Sequence, residues 1–309
     1  MSQAMKSLDS SPSAQIERSG TASVIWEAIR PADWVKNVFV AAPLFFSGQA
    51  TVESKLWLTG LVVLAFCAMS SAVYLFNDLA DREHDRLHPR KRHRPIASGA
   101  LSVRAAVITT AALVVVALLL VMFSYQVLLL IAGYGLMNVA YSLWLKHVVI
   151  VDVFCIGIGF VLRVFAGGLA IDVPPSSWLV LATFLLSLFL ALAKRRHELL
   201  TMSDRADSHR PVLEQYSIKL VDELISVVTP VTLLTYILYT LDHATMERFH
   251  SDHLYLSTPF VTFGIFRYLY LVHARDLGGS PTDLVVKDVP LVAAILGWIG
   301  SFVLIVYVS

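Results

Sequence analysis

Along most of the chain, apolar residues come in long unbroken runs rather than in alternation or as a one-sided helical stripe, so the runs read as helices surrounded by apolar material. Nine such runs follow one another, at roughly 36–48, 56–77, 102–124, 126–145, 148–171, 177–195, 219–241, 254–273 and 289–308. Most have the roughly 18 to 22 residues that cross about 30 Å of hydrocarbon. The pattern predicts an all-α, polytopic membrane protein with nine transmembrane helices. The first run is short for a crossing and needs the stretch from Trp26 to Trp34, lying amphipathically at the interface, to feed it. Residues 1–22 are polar and Ser-rich and are expected to form a disordered cytoplasmic tail. With no linker dividing the runs, residues 23–309 are expected to form a single transmembrane catalytic domain.

Composition sharpens this picture. Of 309 residues, 57% are hydrophobic and only 15% are charged, and the mean hydropathy is +0.69. Those values exclude a soluble enzyme, a disordered chain and a β-barrel. The net charge of +1 says little, because in a membrane protein the loops that hold the charges matter more than their sum. With nine spans, the tail and the loops after the second, fourth, sixth and eighth hold about 20 of the 24 Lys and Arg residues, and that side is expected to be cytoplasmic. Lys55 and Arg248 fall on the other side, and Arg163 and Arg267 fall inside spans. Cys67 and Cys155 lie within apolar runs, which removes disulfide and zinc frameworks. Nothing predicts a nucleic-acid partner.

The chemistry concentrates in two charged loops, at about 77–101 and 194–218. The first begins Asn77-Asp78-Leu79-Ala80-Asp81-Arg82-Glu83-His84-Asp85-Arg86. If the second helix continues past the bilayer surface, Asn77, Asp81 and Asp85 share one face at i, i+4 and i+8, with Asp78 beside them. Like charges at that spacing repel and call for a cation, and hard oxygen ligands beside a phosphate substrate suit Mg²⁺. The alternative is a solvated helix end with pairs such as Asp78–Arg82. Pro89-Arg90-Lys91-Arg92-His93-Arg94-Pro95 follows at once, either to hold anionic groups that a divalent ion leaves unneutralised or to set topology and contact lipid headgroups. Asp152, at membrane depth in the fifth run, is a further site candidate that could instead pair with Arg163.

The motif from Asn77 through Asp81 and Asp85 to Lys91, Arg92, Arg94 and Pro95 resembles the first aspartate-rich motif of the UbiA superfamily of intramembrane prenyltransferases, whose fold has nine helices. Arg30-Pro31-x-x-Trp34-x-Lys36-Asn37 is similar to that family's segment ahead of the second helix, and Tyr141-Ser142-x-x-Leu145-Lys146 falls where members carry a Tyr-Ser pair. The second Asp-x-x-x-Asp of typical members is absent. Leu190-Ala191-Leu192-Ala193-Lys194-Arg195-Arg196-His197-Glu198 stands there instead, followed by Arg210-Pro211-Val212-Leu213-Glu214-Gln215-Tyr216-Ser217. This basic version resembles the decaprenyl-phosphate phosphoribosyltransferase branch.

The resemblance implies transfer of 5-phosphoribose from phosphoribosyl diphosphate to a polyprenyl phosphate at the cytoplasmic face of the cell membrane. Asn77, Asp78, Asp81 and Asp85 would hold Mg²⁺. Lys36, Lys91, Arg94, Lys194 and Arg195 would hold phosphate oxygens, with Arg86, Tyr141, Lys146, Asp152 and Glu198 lining the substrates. Asp78, Asp81, Asp85 and Lys194 would carry the catalysis. One carboxylate cluster opposite fixed cations suits two anionic substrates, one chelated through the metal and one held by the cations. The alternatives are prenyl transfer to an aromatic acceptor, against which the missing second motif argues, and a cation transporter, whose site belongs near the bilayer midplane rather than at a helix end.

Overall fold

The computed structural model describes residues 21–89, 91–202, 211–279 and 281–308, and among them all regular structure is helical. The short α1 (Thr21–Ala28) leads into a 3-10 helix over Pro31–Ala41 and a single turn, α2 (Ala42–Phe46). Then come α3 (Glu53–Ala80), α4 (Arg82–Leu87), α5 (Val103–Leu119), α6 (Tyr125–Leu143), α7 (Val151–Ala170) and α8 (Ser177–Met202). The chain continues through α9 (Ile218–Leu241), α10 (His243–Phe249), α11 (Thr258–Ala274), α12 (Pro281–Lys287) and α13 (Val289–Val303), which runs on as a π-helical turn over Leu304–Val308. Six of these helices are long and apolar enough to cross a membrane: α3, α6, α7, α8, α9 and α13 with its extension. The apolar α5 is shorter, at 17 residues, as is α11, which carries Arg267 and His273. The protein is therefore multi-pass.

Three expectations change. The run at 36–48 is no long helix but the 3-10 segment followed by α2, because it lies as a short bent element on α3 and α7 rather than crossing by itself. The helix through the aspartates is interrupted at Asp81 (φ −90°, ψ 3°), so Asn77 and Asp78 belong to α3 and Asp85 to α4. The bonds Asp81 N–H to Asn77 O and Asp85 N–H to Asp81 O still span the break, which keeps the carboxylates neighbours. At the second charged loop α8 does not stop near 195 but continues to Met202, since the charges on its last turns find protein partners. The expected tail over 1–22 lies outside the described residues, apart from Thr21 and Ala22, which open α1; Arg90, Arg205 and Arg210 also lie outside them.

The buried residues form two main clusters. Val40, Phe66, Met69, Ile131, Tyr134 and Ala166 join the 3-10 segment, α3, α6 and α7. Phe189, Leu192, Val221, Ile225, Tyr268 and Leu291 join α8, α9, α11 and α13. Helix α7 touches both halves and is rich in small residues, the usual means of close helix approach where no water drives packing. At Gly167 a Cβ would lie 1.9 Å from the Val40 carbonyl oxygen, so only glycine lets the 3-10 segment rest on α7. At one end of the bundle Phe45 stacks on Phe302 and Phe46 meets the same ring edge-on, tying α2 to α13.

Candidate active site

The opposite end gathers the charged side chains. Asp78 and Asp85 are buried, 3% and 2% exposed, and each is met by cations, Asp78 by Arg94 and the sequence-distant Arg30, Asp85 by Arg94 and Lys91 of the same loop. One nitrogen of Arg94, Nη1, lies 2.9 Å from Asp78 Oδ1 and 2.7 Å from Asp85 Oδ2, so a single cationic atom already joins the carboxylates on either side of the break. Arg30 Nη2 lies 2.7 Å from both Asp78 oxygens, and its guanidinium rests over the Tyr74 ring. Lys91 stands 3.9 Å from Asp85. Asp81 is engaged separately, by Lys146 Nζ at 2.8 and 3.0 Å. Lys146 is itself buried, carried by a 3-10 turn between α6 and α7.

The role of Arg30 was not legible beyond its place in the Arg-Pro segment. Its backbone offers a sign that sequence could not: it adopts a left-handed conformation (φ 52°, ψ 64°), costly for a residue with a Cβ and more so before a proline. Such strain collects at functional sites. It turns the chain from α1 into the 3-10 segment with the guanidinium facing Asp78.

A second cluster lies on the other side of the α6–α7 connection. Asp152 is fully buried and does not meet Arg163; it accepts from Arg195 Nε at 2.7 Å and from the Tyr216 hydroxyl at 2.8 Å. Tyr216 in turn accepts the N–H of Ile150 at 2.7 Å, where the backbone is again strained (φ 70°). Burial first, and then the hydrogen bond to Asp152, push the Tyr216 phenol above its usual range, so it stays a donor. Arg195, 2% exposed, also donates to Glu198 and, at 3.5 Å, to the Tyr141 hydroxyl. Arg196 donates to Asp222 and Asp276.

Lys194 has an exposed side chain on α8, and Lys36 pairs with Asp33 on the 3-10 segment. Arg86 turns to Glu83 and the Ala97 carbonyl rather than to the carboxylates. Asn77 is half-buried on the last turn of α3. Arg267, unexplained by sequence, pairs with Asp288 ahead of α13.

Among the described residues no three His, Cys, Asp or Glu side chains converge to hold a metal alone. Mg²⁺ beside a phosphate substrate needs only one or two carboxylates, the rest of its shell coming from phosphate and water. The Asp78–Asp85 pair, hard oxygens already gathered about one cationic atom, fits that requirement, with Asp81 and Asn77 next to it.

The site thus sets an acidic helix end against basic side chains at one end of a multi-pass helical bundle. The UbiA prenyltransferase family model matches residues 37–278, and the chain belongs to that family. It is similar to the decaprenyl-phosphate phosphoribosyltransferase of Corynebacterium glutamicum, 32% identical over 287 residues covering 91% of this chain and 86% of the relative. It is likewise similar to the protein of that name from Mycobacterium tuberculosis, 32% identical over 280 residues covering 89% and 91%. Among solved structures, a UbiA homolog from Archaeoglobus fulgidus bound to GPP and Mg²⁺ shares the fold, with a TM-score of 0.68 at 18% identity over 92% of this chain and 99% of that one.

Proposed function

We propose that the protein transfers 5-phosphoribose from phosphoribosyl diphosphate to a polyprenyl phosphate and releases diphosphate. The observation that carries this reading is the asymmetry of the site: a single carboxylate cluster at the α3–α4 junction, and on α8, where a second one would stand, Leu190 and Lys194. The names of the two relatives, which match most of the chain, support it.

In the reaction an oxygen of the lipid phosphate bonds to the anomeric carbon while the bond from that carbon to the diphosphate oxygen breaks. The electron pair leaves with diphosphate. Asp78 and Asp85, with Asp81 and Asn77, would hold Mg²⁺, which supplies charge neutralisation for the leaving group. Arg30, Arg94, Lys91 and Lys146 surround the same carboxylates and would turn toward phosphate oxygens as charge accumulates there. Lys36 and Lys194 would hold the lipid phosphate and the 5-phosphate. The acceptor is already an anion, so the site needs no strong general base. Arg195, Glu198, Tyr141 and Asp152 brace the wall of the site from α6, α7 and α8. The Lys and Arg distribution supports a cytoplasmic-facing site in the cell membrane.

The test supplies purified protein in lipid with Mg²⁺ and either labelled phosphoribosyl diphosphate and decaprenyl phosphate, or labelled prenyl diphosphate and an aromatic acid. Label is expected in the lipid phase with the first pair and to disappear in excess chelator. Turnover of the second pair alone would overturn the branch assignment while leaving the family intact.

A further inference from the structure

Arg163 is a buried cation with no role in the site described above. It lies on α7, 5% exposed, and all three of its hydrogen-bond acceptors are neutral: Asn37 Oδ1 from Nε, the Gly159 carbonyl from Nη1 and the Tyr134 hydroxyl from Nη2, each at 2.9 Å. Its guanidinium carbon also lies 4.7 to 5.4 Å from the ring centroids of Tyr134, Phe66 and Phe160. Among the described residues no carboxylate pairs with it. A cation at membrane depth is costly, and apolar packing alone would not require one.

What distinguishes this guanidinium is the set of elements it joins. Tyr134 belongs to α6, Gly159 and Phe160 to α7, Phe66 to α3, and Asn37 to the 3-10 segment. That segment needs an external hold: it runs for 11 residues, whereas 3-10 helices longer than three or four residues are uncommon because their hydrogen bonds are poorly aligned. It starts at the strained Arg30, and its far end rests on Gly167. Asn37, fully buried, is its inward-facing handle, with the amide nitrogen donating to Cys67 Sγ at 3.2 Å. Lys36 is the adjoining residue, and Arg30, seven positions earlier, reaches Asp78.

We propose that Arg163 is a positioning residue: it fixes the 3-10 segment against α3, α6 and α7, and so sets where Lys36 and Arg30 meet the substrate phosphates. Only a planar fork of five donors serves three acceptors on three elements at once while stacking on rings. The phosphate part of this inference rests on the proposed transferase reading; the fixing of the segment does not.

The test compares the parent, Arg163→Met, Arg163→Lys, Asn37→Ala and the Arg163→Met/Asn37→Ala double variant, all reconstituted in lipid, by amide hydrogen exchange and by steady-state kinetics. Small displacements of positioning groups have large kinetic effects, so KM for the lipid phosphate is expected to rise about tenfold or more in Arg163→Met and in Asn37→Ala. The double variant should rise less than the two single effects combined, because both changes remove the Arg163–Asn37 bond. Arg163→Lys should fall between, keeping the charge but not the fork. Amides over residues 31–41 should exchange faster in each single variant, with α8 and α9 unchanged. A merely structural residue would lower the active fraction with KM unchanged, and that result would overturn the proposal, as would additive effects or parental exchange over 31–41. If the parent consumed no phosphoribosyl diphosphate, the transferase reading would fall, while exchange over 31–41 would still decide whether Arg163 and Asn37 hold the segment.

Discussion

Asp152→Ala should destabilise the protein strongly, and the structure sets the scale. The substitution removes two charge-assisted bonds to the carboxylate, from Arg195 and from the Tyr216 hydroxyl, each worth about 1.5 to 3 kcal/mol. Because the two charges are 0% and 2% exposed, loss of one partner also leaves a desolvated guanidinium with Glu198 as its one remaining carboxylate among the described residues, and breaking such a buried pair costs about 3 to 5 kcal/mol in all. For a chain of this size that is a fall in Tm of roughly 5 to 8 °C. Tyr216→Phe should cost about 1.5 to 3 kcal/mol, since it removes one of those charge-assisted bonds together with the acceptor that satisfies the strained Ile150 amide. Asp152→Leu combined with Arg195→Met should recover most of the loss, because apolar residues of similar volume replace a buried pair at little net cost. Glu198, 25% exposed at its side chain, keeps access to water when Arg195 is gone. Thermal unfolding in lipid nanodiscs reads all three variants. An Asp152→Ala protein as stable as the parent but inactive would refute the bracing role and assign Asp152 to substrate contact.

Asp81→Asn should lower turnover by a factor of about 10² or more with normal membrane insertion, if the carboxylate stabilises the leaving diphosphate by several kcal/mol; parental turnover would make Asp81 a partner of Lys146 and nothing more. Lys194→Ala should impair use of one phosphate substrate, and Lys194→Arg should restore it only in part, because a guanidinium keeps the charge without the compact geometry. Leu190→Asp with Lys194→Asp should abolish phosphoribosyl transfer, and survival of that activity would make the basic motif topological. Asp288→Ala should lower Tm at neutral pH. Hydrogen bonds from Arg267 hold the Asp288 carboxyl below the ordinary carboxylate range, so its contribution is present above the unfolded-state value and fades as pH falls through the folded-state value. The variant and the parent should therefore converge in strongly acidic buffer.

The helices that sequence placed well are those whose stability comes from apolar surface in lipid. The run expected at 219–241 is Ile218–Leu241, and that at 148–171 is Val151–Ala170. The 36–48 run misled because its conformation depends on tertiary contacts at Gly167 and Arg163, which local hydropathy does not encode. The acidic and basic motifs around Asp78 and Arg94 were legible because their partners lie within one loop. The partners of Asp152 were not: Arg195 is 43 residues away and Tyr216 is 64. Proximity on α7 favoured Arg163, yet that residue sits three turns along the helix and faces rings and amides instead.

These long-range pairs change what the basic motif on α8 can do. Of its three consecutive cations, Arg195 is matched by Asp152 and Glu198, and Arg196 by Asp222 and Asp276. Both arginines thus tie α8 to α7, α9 and the turn after α11, and the cation with the exposed side chain is Lys194. Among the described residues there, Glu198 and Asp152 both accept from Arg195. A second divalent ion would find Leu190 and Lys194 where carboxylate ligands would have to stand. On the proposed reading, a donor diphosphate is therefore neutralised on the α3–α4 side alone, by one metal with Arg30, Arg94 and Lys146 around it, and a lipid monophosphate needs only the modest positive charge that Lys36 and Lys194 bring.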